Sequence, residues 1–403
     1  MTIVTPELVG LSSARLRRID AVMQRHVEEG RLAGAVTVLA RRGQVAHVGC
    51  YGQMDIAARK PMREDAIFRL FSMTKPITSL AVMMLYEEGH FHLSAPIATF
   101  IPVFKDMQVF VKQTEAGPQL APLERPLTIH DLLTHTSGLG YGLDALLPVD
   151  ALYMQAKLLR PDESLAEKMP RIAQIPLHHQ PGVRFTYSIA YDVLGHLVEL
   201  VSGMALDAFF RQRIFAPLGM PDTDFAIPPE AQTRLATLYT SLPSGELVDI
   251  TMLEESARPL FLTGAWIDKT ERPRFLSGGG GLVSTAADYL RFALLLANKG
   301  TLDGVRLLSR KTVELMAAPH LRPEQFFIPG CSSGLGLTVL TDPARAQMLG
   351  SPGAYGGGGA ANTDFWVDPT EELAGVLMTQ YVAAAPHAVT MDFKVLSAQA
   401  IAD

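Results

Sequence analysis

The stretch FRLFSMTKPITSLAVMMLYEEG, residues 68–89, decides the fold and holds the first candidate for chemistry. Its apolar residues recur at helical spacing, at Ile77, Leu80, Ala81, Met84 and Leu85. This spacing predicts a helix with one apolar face. Ser72 is a favoured N-cap residue type, Pro76 falls in the first turn, and Gly89 fits a helix stop. The stretch therefore predicts a helix that begins at Ser72.

Ser72 and Lys75 form an S-x-x-K pattern at the start of this helix. Residues three apart share a helix face, so the hydroxyl and the amine lie within reach of each other. A lysine accepts a proton only when it is neutral, and burial or a second cation favours the neutral form. The apolar flanks, 67–71 and 77–85, indicate a shielded lysine. The pattern alone also fits a solvated surface lysine, and both interpretations stay open at this point.

Composition sets the class of protein. The 403 residues are 48% hydrophobic and 19% charged, which is typical of a globular chain with a large core. The net charge of −6 gives no basic surface for nucleic acid or an anionic membrane. Cys50 and Cys331 indicate free thiols in a reducing compartment. We see no signal peptide and no run of about 18 apolar residues, so we predict a cytoplasmic protein without a membrane partner.

Strand patterns lie at the two ends of the chain. Residues 34–39 and 45–51 predict strands joined by a hairpin turn at 41–44, after a helix at 12–29. The predicted later elements are strands at 333–340, 362–367 and 373–380 and helices at 286–298 and 388–400. Between them the chain reads as helical and irregular, with helices at 127–136, 188–202 and 205–214 and breaks at Pro161 and Pro170.

This distribution predicts an α+β fold. An antiparallel sheet domain, flanked by helices, is built from residues 1–75 and 275–403. A mostly helical domain, residues 76–274, is inserted between them. The active-site cleft lies at their junction, beside Ser72.

Two further segments could carry chemistry. Tyr187 follows a Pro-Gly turn and precedes a helix, so it is either a packing residue or a third proton-handling group beside Ser72 and Lys75. The glycine run 356–359 is either a mobile loop or a backbone that approaches a substrate closely. Its context does not match a phosphate-binding loop.

Two alternatives are weaker. Residues 330–334 match G-x-S-x-G around Ser332, but a strand-like segment follows where a nucleophile elbow needs a helix, and only His387 could complete the triad. His130, His135 and the pair 178–179 show no metal-ligand spacing, so we expect no metal and no cofactor.

Taken together, the motifs resemble the serine β-lactamase and penicillin-binding-protein superfamily, and within it the class-C-like branch with the family VIII carboxylesterases. The resemblance covers residues 12–400. It is carried by five stretches in order: FSMTKP at 71–76, LTIHDLLTHTSGL at 127–139, Tyr187-Ser188, SGGGGLVSTAAD at 277–288 and GGAANTDFWVDP at 358–369.

The resemblance implies a β-lactamase-like fold and a role for each matched residue. Ser72 would be the acylated nucleophile, Lys75 its general base, and Tyr187 a helper in proton transfer. The backbone N–H groups of Ser72 and Ala360 would form an oxyanion hole. This sequence departs from the lactamase pattern at two positions. Ile189 replaces an Asn, and Gly357 replaces the Lys of a Lys-Thr-Gly motif.

Both departures favour neutral esters over β-lactams or D-Ala-D-Ala peptides. Many esterases of this branch carry Trp where Gly357 stands, so the glycine would widen the pocket. We predict a serine carboxylesterase for a small-molecule ester of short-to-medium acyl chain. The predicted substrate-binding residues are Gly357, Gly358, Gly359, Ile189, Tyr141 and Trp266. The alternatives are an acyltransferase, a weak β-lactamase or peptidase, and a non-catalytic binding or assembly protein. The oligomeric state is not predicted.

Overall fold

The computed structural model describes residues 1–254, 258, 262, 264–382 and 388–403. The described strands are β1 (Gly34–Arg41), β2 (Gln44–Asp55), β3 (Lys60–Pro61), β4 (Phe68–Arg69), β5 (Gln108–Thr114), β6 (Gly117–Pro122), β7 (Tyr239–Ser241), β8 (Leu247–Asp249), β9 (Val283–Ser284), β10 (Thr301–Leu302), β11 (Val305–Arg306), β12 (Cys331–Ser333), β13 (Thr338–Leu340), β14 (Tyr355–Gly358), β15 (Asp364–Asp368) and β16 (Leu373–Thr379). The described helices are α1 (Ser13–Glu28), α2 (Thr74–Glu87), α3 (Ile129–Leu133), α4 (Pro148–Ala156), α5 (Leu165–Ala173), α6 (Ala190–Ser202), α7 (Leu206–Phe210), α8 (Ala216–Leu218), α9 (Gly264–Ile267), α10 (Ala286–Ala297), α11 (Arg310–Met316), α12 (Pro343–Ala346) and α13 (Val389–Ala398).

One antiparallel sheet joins the two ends of the chain. Its strand order is β12-β13-β14-β15-β16-β1-β2-β3, so the N-terminal hairpin pairs with the C-terminal strands through β1 and β16. This arrangement confirms the predicted α+β class with an antiparallel sheet flanked by helices. The division of the chain at residues 75 and 275 stays a prediction.

The sheet is covered on both faces. Along β1, Ala35 and Leu39 belong to a core cluster with α1 and α13, whereas Val36 and Val38 belong to the larger core with α2 and α10. Every position of β1 is buried, because alternate side chains point into two different cores. The Ser72 turn and α2 lie on the side of the larger core.

Local signals predicted many elements correctly. Ser12 caps α1 and Thr285 caps α10, each by accepting a hydrogen bond from a backbone N–H three residues on. Thr128 and Asp131 form a reciprocal capping box at α3. In the β1–β2 turn, Arg42 and Gly43 both have positive φ, as a two-residue hairpin loop of type I′ requires.

Some predictions were wrong where tertiary contacts decide. The predicted strand 333–340 is two strands, β12 and β13, which pair around the turn at 334–337. Pro170 lies inside α5 and does not end it. The hairpin β5–β6 and the glycine-rich strand β14 were not predicted. Pairing with β13 and β15 holds β14 in the sheet despite the low strand propensity of glycine.

Among the described residues, no single helix is long and apolar enough to cross a membrane. One pair bent by 78°, Ala190–Ser202 with Leu206–Leu218, passes that test by length and composition only.

Candidate active site

Ser72 lies in a sharp turn between β4 and α2. Strand β4 pairs with β9, and the chain then turns through a short 3-10 segment, Phe71–Met73, into α2. Phe71 has a φ of 46°, which costs a non-glycine residue about 1–3 kcal/mol. Its ring stacks on Trp266 with centroids 6.2 Å apart. The packing of this strained residue therefore fixes the direction of the next side chain, that of Ser72.

The prediction that Ser72 caps the helix was wrong. The α2 helix begins at Thr74, and neither α2 nor the preceding turn has a side-chain cap. The Ser72 hydroxyl instead lies 2.5 Å from the Tyr187 hydroxyl and accepts a hydrogen bond from Lys75 Nζ at 3.1 Å. The structure thus brings together the three side chains predicted to carry the chemistry.

Lys75 is shielded from water. Its side chain is 4% exposed, and α2 is buried on every side from Thr74 to Leu85, so the predicted single apolar face was wrong. The α6 helix packs along α2, and α2 lies within the larger core, which removes the need for a polar face. Lys75 Nζ donates to the Gly279 carbonyl oxygen at 2.6 Å and lies 4.6 Å from the centre of the Tyr187 ring.

A buried carboxylate stands behind this lysine. Asp192 Oδ1 accepts hydrogen bonds from Ser277 Oγ at 2.6 Å and from the Gly279 N–H at 3.2 Å. Asp192 is 1% exposed, and within the described part of the chain its Oδ2 has no hydrogen-bond partner. Burial raises the pKa of Asp192, and the hydrogen bond from Ser277 offsets part of that rise. The backbone of Gly279 therefore connects the two residues, since its N–H donates to Asp192 and its carbonyl oxygen accepts from Lys75. Sequence reasoning missed Asp192, whose only signal was its place five residues after Tyr187.

His135 packs against Tyr187. The two ring centroids are 4.8 Å apart, and His135 Nδ1 lies 3.1 Å from the Ser188 hydroxyl. Burial lowers the pKa of His135 well below its usual value, so its imidazole is neutral. His135 is thus a neutral neighbour of the Tyr187 ring.

The glycine strand forms the other wall of the site. A cavity of about 140 Å³ is lined by Ser72, Lys75 and Tyr187 together with Gly356, Gly357 and Gly358 of β14. A Cβ atom at Gly357 would meet its nearest neighbour at 3.7 Å, so this position has space for a side chain. A Cβ atom at Gly359 would lie 2.2 Å from the Leu70 carbonyl oxygen. The backbone after β14 thus packs directly on the chain that leads into Ser72.

Ala360 lies in the turn that begins at Gly359. The Gly359 N–H donates to the Thr363 carbonyl oxygen at 2.8 Å, and the Asn362 N–H donates back to the Gly359 carbonyl oxygen at 3.0 Å. The two bonds close a tight turn with Ala360 on its exposed side.

The other predicted pocket residues lie further from the hydroxyl. Tyr141 stacks on Tyr187, with ring centroids 5.7 Å apart. Ile189 is buried and its N–H donates to the Gly140 carbonyl oxygen. Trp266 packs behind the Ser72 turn, and its indole N–H donates to the Leu159 carbonyl oxygen at 3.3 Å. The described lining of the Ser72 cavity does not include Tyr141, Ile189, Trp266 or Gly359. Phe185 and Phe327, which we did not predict, line it instead.

The sequence raised two alternative sites, a nucleophile at Ser332 and a metal site at the histidines, and the described residues form neither. Ser332 lies in the middle of β12 and donates to the Leu321 carbonyl oxygen, with no helix after it, so the nucleophile-elbow geometry is absent there. His387 lies outside the described residues. The described side chains contain no group of three or more His, Cys, Asp or Glu that could hold a metal ion.

Comparison with known proteins agrees with this geometry. A family model described as beta-lactamase matches residues 19–400. The chain belongs to the beta-lactamase family. Esterase EstB of Burkholderia gladioli is 34% identical over 392 residues, which cover 93% of each chain. Acyltransferase calJ of Penicillium decumbens is 28% identical over 357 residues, covering 82% of this chain and 79% of its own.

A solved structure extends the likeness to the fold. EstCE1, described as a hydrolase with promiscuous acyltransferase activity, superposes with a TM-score of 0.81 at 27% identity. The match covers 95% of this chain and 98% of EstCE1. The β-lactamase-like fold predicted from the motifs is therefore confirmed.

Proposed function

We propose that this protein is a serine carboxylesterase that hydrolyses neutral esters of short-to-medium acyl chain through an acyl-enzyme on Ser72. One observation carries the proposal: Lys75 Nζ and the Tyr187 hydroxyl converge on a single serine hydroxyl, at 3.1 and 2.5 Å. A serine becomes a nucleophile when a neighbouring base accepts its proton. The similarity to an esterase along nearly the whole chain supports the same reaction class.

The proposed acylation begins with neutral Lys75. It takes the Ser72 proton as the oxygen attacks the ester carbonyl carbon, and the tetrahedral intermediate collapses to the acyl-enzyme. The alkoxide that leaves receives a proton from Lys75 through Tyr187, whose hydroxyl lies 2.5 Å from the Ser72 hydroxyl. In deacylation, water loses its proton along the same path, attacks the acyl carbon and releases the carboxylic acid with Ser72 restored.

The backbone N–H groups of Ser72 and Ala360 are the proposed oxyanion hole. The tight packing of Gly359 on Leu70 supports this pairing, because it fixes the turn that carries Ala360 beside the turn that carries Ser72. An oxyanion-hole donor is typically worth about 10²–10³ in kcat.

The choice of substrate follows from the walls of the site. A β-lactam substrate needs a cation for its carboxylate and an amide for its acylamino group. Gly357 and Ile189 stand at the two positions where the lactamase pattern supplies them. Phe185 and Phe327 give the cavity an apolar side, and its volume of about 140 Å³ suits a small acyl group.

Transfer of the acyl group to an alcohol other than water is the second candidate. It is favoured by similarity to acyltransferase calJ and to EstCE1, whose description includes acyltransferase activity. Adding an acceptor alcohol to the esterase assay separates the two, since a transferase forms a new ester whereas a hydrolase releases only the acid. A weak β-lactamase is tested with a chromogenic cephalosporin. A non-catalytic protein would form no acyl adduct at all.

The direct test uses p-nitrophenyl butyrate and a serine-directed phosphonate. We expect hydrolysis, and one phosphonate adduct located on Ser72 by mass spectrometry. Ser72→Ala should abolish both, while Ser332→Ala, the matched control in the G-x-S-x-G segment, should keep both. Full activity in Ser72→Ala, or an adduct on Ser332, would overturn the assignment. The cytoplasmic location stays a prediction from cysteine usage.

A further inference from the structure

A larger cavity lies on the opposite face of the glycine strand. It has a volume of about 470 Å³, within the range of roughly 300–1,000 Å³ typical of small-molecule sites. Gly356, Gly357 and Gly358 line this cavity and the Ser72 cavity alike. Across the β14–β15 ladder, Trp366 pairs with Gly356 and belongs to the core cluster of α1 and α13, which is the face away from Ser72. A single glycine backbone therefore separates two cavities.

The walls of this rear cavity combine apolar surface with one buried ion pair. Its apolar walls are Ile328, Leu340, Met348, Leu349, Leu373 and Ile401. Lys394 Nζ and Asp364 Oδ2 lie 2.7 Å apart, with side chains 20% and 6% exposed, and both residues line the cavity. Burying such a pair costs more than replacing it with apolar residues, so the pair contributes little to folding.

The charged side chains in the cavity walls restrict the class of ligand that can bind. Asp368 and Glu371 also line the cavity; Glu371 pairs with Arg41 at 3.3 Å, so the surplus negative charge is that of Asp368. This excess of negative charge disfavours a ligand with a carboxylate. Asp368 already accepts hydrogen bonds from the N–H groups of Ser351 and Thr370, and Lys394 is the cationic donor in the cavity lining. An ammonium has three N–H donors, more than its pairing with Asp364 uses.

We propose that the rear cavity binds a neutral, mostly apolar molecule whose hydroxyl or carbonyl oxygen accepts a hydrogen bond from Lys394. The ester and the alcohol classes share this chemistry. The proposal does not rest on the proposed activity, because Ser72, Lys75 and Tyr187 do not line the rear cavity.

The test uses Trp366 as a reporter, since the chain has two tryptophans and Trp266 lies elsewhere. In a Ser72→Ala, Trp266→Phe background, checked for folding by circular dichroism, 1-hexanol and methyl butyrate are titrated while Trp366 emission is recorded. We expect a saturable change in Trp366 emission with one or both probes. Binding of one probe alone would show whether the site prefers an alcohol or an ester. Binding of hexanoate should be at least tenfold weaker.

Two variants locate the site. Leu349 is 54% exposed at the cavity, so Leu349→Tyr should narrow the entrance without disturbing the core and weaken binding at least tenfold. Leu200→Tyr, 48% exposed on α6, is the matched control and should leave affinity within twofold. Lys394→Met should weaken binding about tenfold or more. Absence of saturable binding, equal affinity in Leu349→Tyr, or hexanoate binding as tightly as both neutral probes would each overturn the proposal.

Discussion

Gly359→Ala tests whether the turn at Ala360 takes part in catalysis. The added Cβ would lie 2.2 Å from the Leu70 carbonyl oxygen and 2.3 Å from Thr363 Oγ1. An ordinary contact is about 3.4 Å, so the turn must move by about 1 Å away from Leu70. A displacement of about 1 Å in a catalytic group costs about 10² in rate. We therefore expect kcat for p-nitrophenyl butyrate to fall about 10²-fold.

Gly357→Ala is the matched control on the same strand. Its Cβ would meet Phe365 at 3.7 Å and Pro76 at 3.9 Å, which are ordinary contacts, so kcat should stay within about threefold of the parent. Thermal unfolding of both variants separates misfolding from misplacement. If folded Gly359→Ala retains kcat within about threefold, the turn at Ala360 does not hold the oxyanion and this part of the mechanism fails.

Three further changes probe the base, the pocket and the pH dependence of stability. Lys75→Ala should lower the rate of acylation about 10²–10⁴-fold, measured as phosphonate labelling, and a loss below tenfold would exclude Lys75 as the base. Gly357→Trp should fill the Ser72 cavity and lower kcat/KM for hexanoate esters more than for acetate esters; an equal loss for both would contradict the pocket assignment. Burial beside Arg69 lowers the pKa of Lys269 to about 7. Between about pH 7 and 10.5, Lys269 is therefore neutral in the folded protein but protonated in the unfolded chain. The free energy of unfolding should rise with pH over this range, by up to about 1.4 kcal/mol per pH unit. Lys269→Met should remove this rise in thermal-unfolding scans from pH 7 to 9. If stability depends on pH as strongly in the variant as in the parent, Lys269 is not its cause.

Sequence predicted the parts of the fold that depend on local chemistry. The caps at Ser12, Thr128 and Thr285 satisfy backbone N–H groups within one turn, so neighbouring residues determine them. The α2 helix was predicted from its spacing, but not its burial on all sides, which depends on what the rest of the chain packs against it. The glycine strand β14 was missed because the strands on its two sides, and not its own residues, hold it in the sheet.

The residues of the candidate site also fall into those that local sequence predicts and those that only tertiary contacts reveal. Ser72, Lys75 and Tyr187 could be found because residue type and order along the chain point to them. Asp192 could not, because an acid in the first turn of a helix is ordinarily a solvated partner of the helix dipole. Its importance arises from contacts with Ser277 and Gly279, about 85 residues away, and from complete burial.

The placement of Asp192 bears on how Ser72 is activated. A carboxylate in direct contact with Lys75 would stabilise the ammonium form and weaken the lysine as a base. Lys75 instead donates to the neutral carbonyl oxygen of Gly279, and Asp192 accepts from the N–H of the same residue, so the backbone of Gly279 separates the two side chains. This arrangement fixes the direction of the lysine through a hydrogen bond while the negative charge remains at a distance. Under the proposed mechanism, that charge stabilises the proton that Lys75 gains in the transition state without holding it permanently in the resting enzyme.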